Sequence, residues 1–372
     1  MLRTVLGVMS GTSLDGIDIS VVKTNGFKLV TTEVNFTDKY SLKSENLLKI
    51  FFKNKNILLK DREFISKLEL SITNDFLKAI IKGIKLSESK VEIIGFHGQT
   101  IFHSSILKQS IQLGNAQKIA DETKIKVIHD FRKNDLFNGG EGAPLAPIYH
   151  KYLIQKFNIS LPCCFINIGG IANVTYYNKN NKEEILLGFD TGPGNVLMND
   201  YVSKKLGQEY DYDGRIASQG SIDMNTVNNF LKNDFFHRGF PKSADRFDFH
   251  YLFEDRFFKH LEINDGLATL SYITAKTISD SLFNLPKKTK NIIISGGGQY
   301  NKFLIKNIKK LATTNLILAD ELNIKGDFIE AELIAYLSMR TIKKLPITFP
   351  ETTGTKQPST GGIISLPQNN LF

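Results

Sequence analysis

Gly188-Phe189-Asp190-Thr191-Gly192-Pro193-Gly194-Asn195 lies near the middle of the chain. The apolar triplet before it, Ile185-Leu186-Leu187, reads as a short buried strand, and Val196-Leu197-Met198-Asn199-Asp200-Tyr201-Val202 reads as the start of a helix. Asp190 is thus expected where a strand ends, ahead of a glycine–proline turn and a helix whose first N–H groups are free to face an anion. Open α/β folds take ligands at the carboxyl ends of their strands. The plain alternative is that Asp190 caps the turn or the helix.

Outward from this stretch, the pattern alternates. Residues 2–9 and 17–24 read as two strands joined by Ser10-Gly11-Thr12-Ser13-Leu14-Asp15-Gly16, with a third near 28–37. Ile65, Leu68, Ile72, Phe76 and Ile80 make one stripe of a helix over 62–85. Strands follow at 91–96, ending in His97-Gly98-Gln99-Thr100, and at 126–129, ending in Asp130 to Asp135. The connector Gly139 to Pro147 reads as the passage to a second domain. That half opens with a strand at 163–167, a turn at Ile168-Gly169-Gly170 and a further strand. The spacing then predicts helices over 196–206, 224–235, 267–283, 301–311 and 328–343, and a strand at 291–294 closed by Ser295-Gly296-Gly297-Gly298. Each half starts with a strand–glycine turn–strand unit, a duplication of pattern. The expected division is 1–140, 141–345 and a C-terminal loop or tail over 346–372.

The 372 residues suffice for two domains. With 41% hydrophobic and 23% charged residues the composition is that of a globular protein. No apolar run approaches the ~18 residues of a membrane helix, and no signal peptide is legible, so a cytoplasmic protein without membrane partners is expected. Adjacent Cys163 and Cys164 form neither a disulfide framework nor a metal spacing. The net charge of +9 comes from scattered lysines without interleaved aromatics, which argues against nucleic acid as a partner.

Three glycine turns after strands invite a test of the phosphate motifs. Gly11 to Gly16 has P-loop spacing, but Ile17 and Asp18 stand where Lys and Ser/Thr belong, and the turn enters a strand. Ser295 to Asn301 lacks the third glycine of a dinucleotide fingerprint. Kinase loops, HExxH and a nucleophile elbow are absent. What remains is a nucleotide site in which an N-terminal hairpin wraps phosphates with backbone N–H groups, a second turn faces it, and a triple-glycine turn admits adenosine without Cβ clashes.

On Gly7 to Asp18, Gly95 to Thr100, Asp130 to Asp135 with Gly139 to Pro147, Asn167 to Val174, Gly188 to Asn195, Ser295 to Gly298 and the Glu330 helix, the chain resembles the anhydro-N-acetylmuramic acid kinase family. Pro241-Lys242-Ser243-Ala244-Asp245-Arg246 departs from the family's Pro-Lys-Ser-Thr-Gly-Arg, and Glu141 replaces a commoner Gln. The resemblance implies an α/β fold of two ribonuclease-H-like domains of the actin/sugar kinase type with an interdomain active-site cleft. It implies ATP-dependent opening of 1,6-anhydro-N-acetylmuramic acid by water with phosphorylation of O6, in peptidoglycan recycling. Asp190 is then the base and Glu330 a second catalytic carboxylate. The expected ATP site comprises Gly11, Thr12, Ser13, Leu14, Asp15, Gly16, Ile17, Asp18, Asn167, Gly169, Gly170, Gly192, Gly194, Asn195, Gly296, Gly297 and Gly298. Asp18 is the expected contact to Mg²⁺. His97, Gln99 and Thr100 suit sugar hydroxyls or the acetamido group, and Arg132 and Asp135 the lactyl carboxylate or a clamp. A homodimer is implied. The alternatives are another sugar or acetate-type kinase without the hydrolytic step, and an ATP-gated binding protein of the actin or chaperone kind.

Overall fold

The structure is a computed structural model that describes residues 1–11 and 16–368. The chain forms two compact units, one of Met1–Leu145, Phe328–Pro350 and Gly354–Phe372, the other of Ala146–Asp327 and Glu351–Thr353. The first break falls inside the glycine- and proline-rich connector. The expected boundary at 345 does not match, because the last long helix, Ile329–Ile342, packs on the sheet of the first unit.

The strands of the first unit are β1 (Arg3–Ser10), β2 (Ile17–Thr24), β3 (Leu29–Asp38), β4 (Ile93–Ser104), β5 (Gln109–Leu113), β6 (Lys126–His129) and, from the C-terminal segment, β12 (Ile363–Ser365). Their order is β12-β6-β4-β1-β2-β3, with β5 paired to β4. The second unit holds β7 (Cys163–Ile168), β8 (Ile171–Lys179), β9 (Glu184–Pro193), β10 (Asn291–Ser295) and β11 (Asn315–Leu318), in the order β11-β10-β7-β8-β9. In both units an antiparallel meander of three strands is extended, on the far side of its first strand, by two parallel strands. This is the ribonuclease-H-like topology, present twice, and the pattern duplication is its trace in the sequence.

In the first unit the sheet is covered on both faces, which explains why β1 and the start of β4 read as continuous apolar runs. Leu6, Val8, Ile19 and Ile94 share a core with Leu68, Ile72, Phe76 and Ile80 of the helix Arg62–Leu86. That helix is capped by Asp61, whose carboxylate accepts the Phe64 N–H at 3.0 Å. The opposite face meets Ile329–Ile342 at unusually short range. Gly7 and Gly95 are register neighbours on β1 and β4. A Cβ on Gly7 would lie 2.0 Å from the Ala331 carbonyl oxygen, and one on Gly95 2.2 Å from Ser338 Oγ.

Several elements differ from expectation. β9 runs on through Pro193, so Asp190 stands inside a strand rather than after one. β4 likewise continues past Phe96 to Ser104, because β5 supplies a pairing partner. The helix expected over 224–235 is two, Met224–Phe230 and Asp234–His237, since the Asn233 side chain caps the Phe235 N–H at 2.9 Å and restarts the turn. The C-terminal segment is not only loop, as β12 pairs antiparallel with β6. Helices Leu42–Lys53 and Pro147–Lys156 have no counterpart in the sequence reading.

Candidate active site

In the first unit the turn after β1 is held at both ends. Ser10 Oγ lies 2.8 Å from the Gly16 carbonyl and 2.8 Å from Gln99 Oε1. The Tyr40 hydroxyl lies 2.9 Å from Ser10 Oγ and 3.0 Å from Gln99 Oε1. Each hydroxyl has one proton, so the assignment that satisfies every group has Ser10 donating to Gly16 and Tyr40 to Gln99. Gln99 Nε2 then donates to the Gly11 and Thr100 carbonyls, each at 3.2 Å. Gln99 is fully buried with both ends occupied. It therefore braces the turn, where the sequence reading placed it against the sugar. Thr12, Ser13, Leu14 and Asp15 lie outside the described residues. Ile17 sends its side chain into the core, leaving only backbone for a phosphate. Asp18, on β2, accepts the Thr37 hydroxyl at 2.5 Å.

On β4, His97 is buried. Its Nδ1 sits 3.0 Å from the Gly98 carbonyl and its Nε2 3.3 and 3.1 Å from Arg132 Nε and Nη2. Nδ1 is thus the protonated nitrogen and Nε2 the acceptor. Burial, reinforced by the Arg132 charge, pushes the His97 pKa down to about 3, so the ring is neutral at physiological pH. Arg132 Nη1 also donates to the Gly142 carbonyl at 2.8 Å, while Asp135, buried, accepts the Gly142 N–H at 2.7 Å. Arg132 and Asp135 together hold Gly142 of the connector. Thr100 is half-buried and accepts from Gln112 Nε2 at 3.2 Å. Glu330 is half-buried in the first turn of its helix, one residue before the Ala331 carbonyl that abuts Gly7.

In the second unit the glycine turns cluster at the carboxyl ends of β7 and β10. The N–H groups of Gly194, Asn195 and Val196 bond to the Gly170, Gly169 and Gly170 carbonyls at 2.9, 2.8 and 3.2 Å. These three amides leading into helix Val196–Leu206 are thus spent on the Gly169–Gly170 turn. Asn195 Nδ2 donates to the Ile168 carbonyl at 3.0 Å, and Ser295 Oγ lies 3.4 Å from Asn167 Oδ1. The glycines divide into two sets. Gly192, Gly194, Gly296 and Gly298 each have an atom of their own unit within 3.0 Å of an added Cβ. Gly169 and Gly297 meet nothing nearer than 3.6 and 3.8 Å and have no left-handed φ. Neither packing nor backbone strain demands glycine there, and the backbone is open to close approach.

Asp190 is buried and held by the loop over 241–246. Its N–H donates to the Lys242 carbonyl and its Oδ2 accepts the Ala244 N–H, both at 2.9 Å. Both contacts use loop backbone, so the Ala244 and Asp245 departures leave them intact. Arg246 keeps the loop's far end on Asp200 at 3.1 Å, with His250 Nε2 2.7 Å from the same carboxylate. Burial would raise the Asp200 carboxyl, but the His250 hydrogen bond and the Arg246 guanidinium hold it below the ordinary value.

Lys242 is a neighbour the sequence reading missed. It is buried, its Nζ donates to the Phe235 carbonyl at 2.9 Å, and burial together with the Arg238 charge lowers it to about 8 against the pull of Asp190. Between pH 8 and the ordinary lysine value the unfolded chain binds the proton that the folded one has lost, so this residue's destabilising contribution is relieved as pH rises through that window. Thermal melts of wild type and Lys242→Met at pH 7 and 9.5 should show the variant's advantage at pH 7 shrinking at pH 9.5.

Among the described residues no three His, Cys, Asp or Glu side chains converge as a metal cage, and no helix is long and apolar enough to cross a membrane.

Two sheets of one ribonuclease-H-like topology define a protein of the actin and sugar kinase fold class. A family model described as anhydro-N-acetylmuramic acid kinase matches residues 3–367. Proteins named anhydro-N-acetylmuramic acid kinase are similar along their whole length. The one from Pelagibacter ubique is 38% identical (97% of this chain, 98% of that one), and one from Rhodopseudomonas palustris is 36% identical (99% and 100%). Among solved structures, the activator of 2-hydroxyisocaproyl-CoA dehydratase from Clostridium difficile with bound ADPNP is similar at a TM-score of 0.43 and 13% identity, over 92% of this chain and 96% of that one. The chain belongs to the anhydro-N-acetylmuramic acid kinase family.

Proposed function

We propose that this chain, an ATP-using kinase of 1,6-anhydro-N-acetylmuramic acid by family, opens the anhydro ring with Asp190 as the base. Water attacks C1, the C1–O6 bond breaks, O6 takes the γ-phosphoryl group, and the water's proton passes to Asp190. The products are N-acetylmuramic acid 6-phosphate and ADP. The observation that carries this reading is the placement of Asp190. Asp190 is buried inside β9, its backbone N–H bonded to the Lys242 carbonyl and its carboxylate accepting the Ala244 N–H, so that one loop fixes it. A base held in this way has little reorganisation to undergo when the proton moves. The attack resembles inverting glycoside hydrolysis, with phosphorus in place of the acid's proton.

The phosphoryl step is positioning and charge stabilisation. Gly169 and Gly297, open at their backbone, are the positions of the second unit that support nucleotide contact. Mg²⁺ supplies charge neutralisation on the phosphates when bound. The residues fit an ion carried mainly by phosphate and water, with Asp18 as the carboxylate near the turn. Neutral His97 with Arg132, through the 139–147 connector, supports the sugar side, and Glu330 a second carboxylate. The reading includes a cytoplasmic homodimer, on the strength of the family alone.

The test is product analysis with ATP, Mg²⁺ and the anhydrosugar in ¹⁸O-labelled water. Label at C1 of a phosphorylated sugar is the expected result. Unlabelled phosphosugar, or phosphorylation of ordinary sugars with the anhydrosugar untouched, would replace the hydrolytic reading with that of a plain sugar kinase.

A further inference from the structure

Directly across the sheet from Asp190 stands Asn173 on β8, its register partner. Residues directly opposite in an antiparallel ladder project to the same face. The Asp190 N–H turns away from β8, to Lys242, which is the geometry of a narrow pair, in which side chains stand closest. A bulge falls between Ala172 and Asn173, where β9 spends Thr191 as an extra residue, so the pairing is locally re-aimed at this point. Thr191 ties the bulge down by donating to the Ala172 carbonyl at 3.2 Å.

Asn173 Oδ1 is buried and has no hydrogen-bond partner among the described residues. A buried amide oxygen left unpaired in water-excluded surroundings is expensive and rare. Thr175, the next residue on the same face of β8, is by contrast paired, with His150 at 2.7 Å. The orphan lies beside the carboxylate that the reaction reading uses as base.

We propose that Asn173 is a further catalytic residue, which holds the attacking water together with Asp190. This inference rests on the reading of Asp190 as base. One O–H of the water points to Asp190, which takes the proton as oxygen bonds to C1. The other points to Asn173 Oδ1, which accepts a hydrogen bond and takes no proton. Two acceptors leave the water's lone pair one direction in which to attack. An amide suits the second position better than a carboxylate, because a like charge directly opposite Asp190 would raise the proton affinity of the pair before reaction and weaken the base's selectivity for the transition state.

The experiment is steady-state kinetics and thermal unfolding of Asn173→Ala and Asp190→Asn, with ATP and the anhydrosugar varied in turn. A hydrogen bond that orients the nucleophile should cost Asn173→Ala about 10- to 100-fold in kcat. KM for ATP should stay within about twofold, and a larger solvent isotope effect should report that water attack has become slower. The melting temperature should not fall, because the lost oxygen had no partner in the protein. Full kcat in Asn173→Ala with Asp190→Asn inactive would overturn the role of Asn173 and leave the base in place. A raised KM for the sugar at unchanged kcat would overturn it too, making Asn173 a binding contact. Full activity in both variants would remove the base reading and this inference with it.

Discussion

Asp190→Asn should lower kcat about 10³-fold or more, the upper range of what a positioned general base contributes. The substitution is close to isosteric, and the fold has what it needs to tolerate it. The amide oxygen can accept the Ala244 N–H in place of Oδ2, and the backbone bond to Lys242 is untouched. KM for ATP should therefore stay near the wild-type value. The variant also removes the charge that raises Lys242, so its ammonium should titrate lower than about 8. Turnover at saturating ATP and anhydrosugar is the direct measurement. A rate within tenfold of wild type would move the base elsewhere, with Glu330 the next residue to change.

The largest stability effect is expected at a residue with no side chain. Gly7→Ala would place a methyl 2.0 Å from the Ala331 carbonyl oxygen and 2.9 Å from the Ala335 nitrogen. Both are backbone atoms of the helix Ile329–Ile342, so no rotamer change relieves the contact and the helix must move off the sheet. Overpacking of this kind costs about 3 kcal/mol or more. Gly95→Ala should cost less, because the Ser338 hydroxyl can rotate away and the nearest backbone atom, the Ile334 carbonyl oxygen, lies 2.8 Å off rather than 2.0 Å. Gly139→Ala serves as a control for backbone strain. Its φ is +86° and the nearest atom to the new methyl is 3.7 Å away, so only the left-handed penalty of about 1–2 kcal/mol applies. Denaturant unfolding of the three variants should rank them in that order, and equal losses at Gly7 and Gly139 would show that the helix is free to shift. Because Glu330 precedes Ala331 and Gly7 leads to Ser10, residual activity in Gly7→Ala should fall more than its folded fraction.

The strands and the apolar helix stripes were legible because their periods are local. The β1–β2 hairpin, the helix from Arg62 and the helix Val196–Leu206 were read at their observed limits, within a residue or two. The glycine turns were legible for the same reason. What a sequence carries less visibly is any element whose limits depend on a partner. The extension of β4 through His97 and Gln99 needs β5, and the extension of β9 through Asp190 needs β8.

The site divides in the same way. Asp190, the turns and Glu330 could be picked out from residue type and spacing. The role of Gln99 could not, because a buried amide with both ends paired and an exposed one reaching for a sugar have the same letter. Lys242 and Asn173 were hidden for a related reason. One is defined by the carbonyl it leaves on Asp190, the other by a register and a missing partner, and both are relations between segments far apart in the chain. The sequence by itself determined the chemistry available here, two glycine-turn units and a carboxylate within the central motif. Tertiary structure alone decided which of the polar groups are spent on holding the site and which remain for the reaction, because hydrogen-bond partners are assigned only when strands and loops meet.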